Sequence, residues 1–408
     1  MLLQYNGHLS KVRARMTNKR LFPLLILMVI FLPLAIDIFL PALPIIAKDF
    51  SVSMTQIQWT VTGFLLSMGI GQLFSGPLAD RYGRRPVAIG GIVIYGLSSI
   101  IGAYADSFSY LLISRLVQGV GACAIVVSAF ASVRDRYNAI ESGAMYSYLN
   151  SAICCIPALA PLLGNVLTEH FGWRSNFEFM AGYAIVAGTI LFFTLQETRP
   201  NHTEQHEKLI TISRFMPVLT HPVFYFNAVV VMVAMAIIIA YVSSSPAWLM
   251  VRLGLDQQAF VFWFSLNAVF NIVACFLAPR FLRKFGARIT IGTGMVSLIF
   301  SGVLMLILLP WQSAIAFMLP IMISSLGFSF IMGACAGQAL APFGDGAGAA
   351  SALLGFIQMS GSAVLIYLIQ LLPLNEAEQM VFLMLMFIPI YALWKLPKVK
   401  RNIMAEAS

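Results

Sequence analysis

Charged side chains are scarce in this sequence. Only 10% of its 408 residues are Asp, Glu, Lys or Arg, whereas 60% are hydrophobic. A soluble domain carries about 25% charged residues. The composition therefore excludes a water-soluble domain and predicts that lipid surrounds most of the chain. A chain of this length has room for about a dozen membrane-spanning helices and their loops.

The signals of enzyme and cofactor sites are also missing. The five cysteines form no C-x-x-C pair, and the five histidines fall in predicted loops or at helix ends. Neither a metal cluster nor a histidine proton relay within the membrane is expected. No P-loop, dinucleotide-binding glycine pattern or nucleophile elbow is present. We predict that the chain is not an enzyme and binds no metal or cofactor.

An excess of basic residues gives the chain a net charge of +9. A basic chain can bind nucleic acid, but these charges form short clusters between apolar runs. That arrangement is the positive-inside pattern of membrane proteins. We therefore expect the partners to be the lipid bilayer and small molecules, with no nucleic acid.

Twelve apolar runs are long enough to span a membrane. They predict spans at about 22–47, 56–79, 87–105, 109–132, 144–167, 175–195, 221–245, 257–279, 289–309, 312–340, 345–371 and 377–395. With the N-terminus inside, the main basic clusters, at 11–20, 81–85, 134–136, 199–214, 280–288 and 395–401, all fall on the inner side. Losing or gaining one span would move the later clusters to the wrong face. Both termini are expected in the cytoplasm of a bacterium with the chain in its inner membrane.

A polar stretch divides the chain into two related halves. We predict a basic N-terminus at 1–20, one six-helix bundle at 21–195, a cytoplasmic central loop at 196–220, a second bundle at 221–395 and a tail at 396–408. The loops at 76–86 and 278–288 both have a proline near their start and a glycine near their end. The predicted fold is an all-α polytopic membrane protein of two pseudo-symmetric bundles, which alternating access could rock against each other.

Asp37 is the one acidic residue that lies well inside a predicted span. A carboxylate at this depth costs on the order of 3 kcal/mol to insert. Because removal from water favours its neutral form, the group could exchange a proton for a cationic or polar ligand. The alternative is a carboxyl that only hydrogen-bonds a neighbouring helix. Glu178, near the outer end of the sixth span, receives no role.

Arg115 is the only basic residue inside a predicted span. Both Arg115 and Asp37 lie roughly 10–15 Å from the outer ends of their spans, which permits an ion pair without proving one. Backbone carbonyls and Gln118 could hold Arg115 equally well. Its role is therefore either in the proton path or as a structural pin.

Two further segments are candidates for moving parts. The loop that contains Gly76, Asp80, Gly83, Arg84 and Arg85 could hold a contact that breaks between two conformations and so act as a gate; the alternative is a solvated basic loop. In the fifth span, Pro157 and Pro161 favour a kink, and Gly164 allows close helix contact. This run could be a hinge or an ordinary bent helix.

These motifs resemble the major facilitator superfamily. The run Gly76-x-Leu-Ala-Asp80-Arg-x-Gly83-Arg-Arg85 is similar to its loop signature, Leu111–Gly121 to its fourth-helix motif, and 157–164 to its antiporter motif. Asp37-Ile-Phe-Leu-Pro41 is similar to the first helix of the Bcr/CflA drug exporters.

The resemblance implies a monomeric, twelve-helix drug:proton antiporter driven by the proton gradient, with amphiphilic drugs such as chloramphenicol-type compounds as cargo. It implies that Asp37 is the substrate and proton site and that Arg115 belongs to the proton-transfer motif. The second gate loop lacks an acid at the position equivalent to Asp80. A proton-linked transporter of a metabolite and a non-transporting membrane sensor are the alternatives, and isolated charges within spans argue against the sensor.

Overall fold

A computed structural model describes residues 21–137, 139–200 and 212–396. Within these ranges every regular element is a helix. The predicted N-terminal segment 1–20, residues 201–211 of the predicted central loop and residues 397–408 of the predicted tail lie outside the described residues. The domain boundaries remain predictions.

The described part of the chain contains twelve helices of membrane-spanning length. They are α1 Leu21–Asp49, α2 Met54–Tyr82, α3 Arg84–Ala103, α4 Phe108–Arg136, α5 Ala139–Phe171, α6 Arg174–Thr194, α7 Pro222–Arg252, α8 257–285, α9 287–308, α10 Ala314–Leu340, α11 Ala349–Gln370 and α12 Glu376–Lys395. A short helix, Ile212–Leu219, precedes α7. The prediction of twelve spans is confirmed.

Helices α8 and α9 run on as one stretch of 52 residues that breaks at Gly286, where φ is 77° and ψ is 165°. At 1.5 Å per residue this stretch is about 80 Å long, which is far more than one bilayer crossing requires. Gly83, between α2 and α3, has the same kind of backbone, with φ 107° and ψ 157°. Both positions need glycine because a side chain is disfavoured at positive φ.

The pseudo-symmetry continues beyond these turns. Eight residues after each turn, Gly91 and Gly294 lie against the next helix, where an added Cβ would be 2.8 and 2.9 Å from a carbonyl oxygen. The same close helix pair is thus built twice, once in α1–α6 and once in α7–α12. The predicted fold of two related six-helix bundles is confirmed.

We call the side of the bundle with the Gly83 and Gly286 turns the basic face, and the opposite side the distal face. Five of the six helices that start at the distal face have a polar side chain that accepts a hydrogen bond from the first turn. These capping residues are Ser53, Ser107, Asp256, Ser313 and Asn375. Such caps satisfy the free N–H groups of a helix start.

The two halves touch near the distal face and at mid-depth. Gln370 of α11 donates a hydrogen bond from Nε2 to Oε1 of Gln58 in α2 at 2.8 Å, and both side chains are buried. Closer to mid-depth, Ser360 of α11 donates to a backbone carbonyl of α2 at 2.9 Å. Ser265 of α8 donates to a carbonyl of α5 at 3.0 Å. All three contacts join uncharged groups of opposite halves.

Candidate functional site

Asp37 lies where α1 loses its regular helix. The α-helical part ends at Asp37, and a 3₁₀ turn, Leu40–Ala42, precedes the last two turns. Pro41 lies inside that 3₁₀ turn. The Asp37 side chain is 3% exposed and makes no hydrogen bond or ion pair with any described residue. The sequence prediction of a solitary acid within the bundle agrees with this position.

Helix α5 packs directly on the irregular turn of α1. A Cβ added at Gly164 would overlap the carbonyl oxygen of Ile38, the residue after Asp37, and lie 2.7 Å from its carbonyl carbon. Only glycine allows this approach. Pro157 and Pro161 lie in the same helix, which continues through both. The segment predicted as a hinge therefore contacts the backbone next to Asp37, while its movement remains a prediction.

The second half faces Asp37 with a tyrosine. Tyr241 of α7 is buried and close enough to Asp37 for an electrostatic interaction between the two side chains. The Tyr241 ring stacks on Phe264 of α8 at 5.4 Å between centroids. One turn further along α8, Asn267 accepts a hydrogen bond from Ser325 of α10 at 3.2 Å. The sequence analysis did not identify Tyr241 or Asn267 as site residues. The one signal that could have indicated them is the presence of an asparagine, Asn267, within the apolar α8 run.

Arg115 is fully buried beside the same turn of α1. Its Nη2 donates to the carbonyl of Ala35 at 2.7 Å, and its Nε donates to the carbonyl of Thr60 at 3.3 Å. The guanidinium also lies over the rings of Phe39 and Phe64, at 4.6 and 4.7 Å from their centroids. Such faces attract a cation, and the attraction is stronger away from water. The guanidinium therefore fixes the backbone two residues before Asp37.

Gln118 completes the surroundings of Arg115. It accepts a hydrogen bond from Nη1 of Arg115 and donates from Nε2 to Ser99 of α3 at 2.8 Å and to the sulfur of Met180 in α6 at 3.5 Å. Among the described residues Arg115 forms no ion pair with Asp37. Of the two arrangements that the sequence permits for Arg115, an ion pair with Asp37 or bonds to carbonyls and Gln118, the structure has the second.

The predicted gate residues form a charged cluster at the basic face. Arg84 lies between two carboxylates, with Asp80 at 2.5 Å and Asp135 at 2.8 Å. The Arg84 side chain is 3% exposed. Asp135 belongs to α4 and was missed by the sequence analysis, because 51 residues separate it from its partner. The cluster ties α2, α3 and α4 together within the first half.

Glu197, at the start of the predicted central loop, caps α3. Its carboxylate accepts backbone hydrogen bonds from Arg84 at 2.8 Å and Arg85 at 3.2 Å, and from Thr198 and Arg199 at 2.9 Å each. Partial burial raises the pKa of this carboxyl, but the four amides outweigh it and hold the pKa below its usual value. Glu197 therefore binds the gate loop to the end of α6.

The other residues predicted for the gate loop, and Glu178, lie outside the Asp80–Arg84–Asp135 cluster. Gly76 has open space around its Cα, since an added Cβ would meet nothing within 4 Å. Arg85 reaches back to α6 and donates to the carbonyl of Phe192 at 2.7 Å. A Cβ at Gly83 would collide with the carboxylate of Glu197, which is a second reason for glycine there. Glu178 is exposed and still has no assigned role.

The sequence of this chain is similar to a known protein family and to named proteins. The Major Facilitator Superfamily model matches residues 25–366. Multidrug resistance protein MdtL of Klebsiella pneumoniae (strain 342) is 33% identical over 362 residues, which is 87% of this chain and 89% of that protein. MdtL of Vibrio parahaemolyticus is 30% identical over 367 residues, which is 88% of this chain and 90% of that protein.

Solved structures share the fold at much lower identity. The crystal structure of a D-xylose–proton symporter has a TM-score of 0.72 and 15% identity, and the match covers 93% of this chain and 98% of the symporter. An inward-facing bacterial homologue of the human lysosomal transporter Spinster has a TM-score of 0.73 and 14% identity, with 97% and 99% covered. At these identities the likeness concerns the fold alone.

Proposed function

Because this chain belongs to the major facilitator superfamily, and is a membrane transporter and not an enzyme, we propose that it exports small amphiphilic drugs in exchange for protons. Chloramphenicol-type compounds are among the proposed cargo. The names of the MdtL relatives support drug export. The observation that carries the exchange mechanism is the buried carboxylate of Asp37 at the boundary between the halves, which has no hydrogen bond or ion pair with any described residue.

The chemistry of Asp37 suits an exchange of proton for cargo. In its ionised form the carboxylate has free acceptor oxygens for a cationic or hydrogen-bond-donating drug. A proton that binds from the distal side removes the charge and weakens the hold on that drug. Each proton that enters releases about 2.3 kcal/mol per 100 mV of membrane potential. The proton gradient would then be the energy source, with no cofactor.

Arg115 and Gln118 would act as positioning residues. Arg115 donates to the α1 carbonyl of Ala35 and, like the other described basic residues, forms no ion pair with the Asp37 carboxylate. A neutralising ion pair would compete with a drug for the carboxylate, so the separation of the two groups supports the exchange. Gln118 fixes the guanidinium from the opposite side.

The proposed setting is the inner membrane of a bacterium, with the basic face in the cytoplasm, both termini on that side and the protein working as a monomer. The arginines around the Gly83 and Gly286 turns support this orientation through the positive-inside rule. Transport would proceed by alternating access, in which the halves separate at one face and then at the other.

A flux assay tests the function. In inverted membrane vesicles with an imposed pH gradient, addition of chloramphenicol or ethidium should discharge part of the gradient. Asp37→Asn should abolish that signal at equal protein abundance. Asp106→Asn, which changes an exposed acid in the loop after α3, should leave it unchanged. Drug-dependent discharge by Asp37→Asn would contradict the mechanism.

The second candidate is a proton-linked transporter of a metabolite, since the D-xylose–proton symporter shares the fold. The same vesicles distinguish it. A discharge caused by sugars or other metabolites, with none caused by the drugs, would favour the second candidate. Growth of cells with and without the gene, on drugs and on single carbon sources, provides an independent comparison.

A further inference from the structure

A groove of about 460 Å³ lies between α5 and α8, on the boundary between the two halves. Its walls are almost entirely apolar and include Leu162, Val261, Phe262 and Val269. Leu162 is 47% exposed and Phe262 61% exposed. The groove therefore opens sideways towards the bilayer and is separate from the Asp37 site.

A buried polar side chain in this groove has no partner among the described residues. Asn165 lines the groove and is 9% exposed, and it forms no hydrogen bond with any described residue. Its Oδ1 is fully buried, so Nδ2 is the atom that a ligand can reach. A carboxamide next to hydrocarbon is unfavourable unless it is hydrogen-bonded. A ligand with a hydrogen-bond acceptor would satisfy Nδ2, whereas Oδ1 would stay without a donor among the described residues.

The depth of Asn165 identifies the acceptor. Helix α5 has 33 residues, which makes it about 50 Å long against a hydrocarbon core of about 30 Å. About 10 Å at each end therefore lies beyond the core. Asn165 is six residues before Phe171, the last residue of α5, so it lies about 9 Å from the helix end. That is the boundary of the core, where the ester carbonyls of phospholipids lie.

The apolar lining fits the upper part of an acyl chain. Along α5 it runs from Asn165 to Ala158, and these seven residue steps correspond to about 10 Å. Along α8 it runs to Val269 from Gln258, which lies nearer the distal end than Asn165. An acyl chain that starts at the ester level of Asn165 would pack against the walls below it.

We propose that this groove binds one diacyl phospholipid from the leaflet at the distal face, with an ester carbonyl accepting a hydrogen bond from Nδ2 of Asn165. The bound chain packs across the boundary next to Ser265, whose hydroxyl links α8 to α5. A lipid seated there holds the halves together at the distal face. The site does not depend on which cargo the protein carries.

The test compares an ester lipid with its ether analogue, which lacks the carbonyl. Purified protein is incubated with dioleoylphosphatidylcholine or with the matching dioleyl diether lipid, and bound lipid is counted by native mass spectrometry. Wild type should retain the ester lipid about fivefold more strongly, the effect of one neutral hydrogen bond. Asn165→Leu should bind both lipids equally, at the level of the ether in wild type.

A matched control lies in the groove between α3 and α6. Thr189 lines that groove, and its hydroxyl already donates to the carbonyl of Ile185 at 2.7 Å. Thr189→Val changes a polar group that is satisfied without lipid, so it should keep the wild-type preference for the ester.

Equal retention of the two lipids by wild type would overturn the proposal, and this comparison needs no variant to fold. An undiminished preference in Asn165→Leu would also overturn it. Displacement of the lipid by chloramphenicol that itself binds through Asn165 would assign the groove to drug and refute the lipid site.

Discussion

The contact between Gly164 and the turn of α1 gives a quantitative prediction. In Gly164→Ala the new methyl group would overlap the carbonyl oxygen of Ile38. Overpacking of this kind costs about 1–3 kcal/mol, and the upper end applies because the obstacle is backbone and not a flexible side chain. The better helix propensity of alanine recovers up to about 1 kcal/mol. We expect a net destabilisation of about 2 kcal/mol.

Thermal unfolding in detergent measures the first consequence. For a chain of 408 residues, a loss of this size should lower the unfolding midpoint by about 2 °C. The matched control is Gly182→Ala in α6, where an added Cβ meets nothing within 4 Å and the midpoint should stay the same or rise. The vesicle assay measures the second consequence, because α5 cannot move away from Ile38 without disturbing Asp37. Drug-dependent discharge should fall at least about tenfold, the effect of a 1.4 kcal/mol change.

A Gly164→Ala variant with both the wild-type midpoint and the wild-type flux would contradict a tight contact at this position. A variant with lower stability but unchanged flux per folded molecule would contradict only the link to transport. In that case the contact holds the helices together but does not position Asp37.

Two other positions give sharp expectations. Arg115→Lys keeps the charge but loses the planar donors that reach Ala35, Thr60 and Gln118 together, so the midpoint and the flux should both fall; wild-type values of both would contradict the positioning role. Because the pKa of Glu197 is lowered from about 4.5, its ionised form stabilises the fold above that pH, and the contribution is lost as the pH falls through the lowered pKa. The midpoint difference between wild type and Glu197→Gln should therefore be constant from pH 6 to 8 and shrink as the pH falls below 4; a difference that grows on acidification would contradict it.

Much of the fold could be predicted from the sequence because its signals are local. Apolar run length gave the spans, and the glycines at 83 and 286 marked turns that only this residue accommodates. Asp37 was recognisable because an acid within an apolar run is rare. These features need no knowledge of how one helix faces another.

The partners in the candidate site could not be predicted, since they depend on how each helix is rotated. Asp37 and Arg115 have similar depths, but depth does not say which faces meet, and the guanidinium turns to carbonyls instead of the acid. Glu197 caps a helix that starts 113 residues earlier, with no pattern in the sequence to indicate it. Tyr241 lies in an apolar run where its facing direction was not visible.

The hydrogen bonds that join the two halves involve only uncharged groups, and this affects how much energy is needed to separate the halves. None of the ion pairs found in the described residues crosses between the halves, whereas Gln58, Ser360 and Ser265 take part in uncharged bonds that do. Each such bond contributes about 1 kcal/mol net, whereas breaking a buried ion pair costs about 3–5 kcal/mol. The free energy needed to break these three contacts is thus comparable to the free energy that one proton supplies at ordinary bacterial voltages. Added salt, which weakens exposed ion pairs, should leave this balance unchanged.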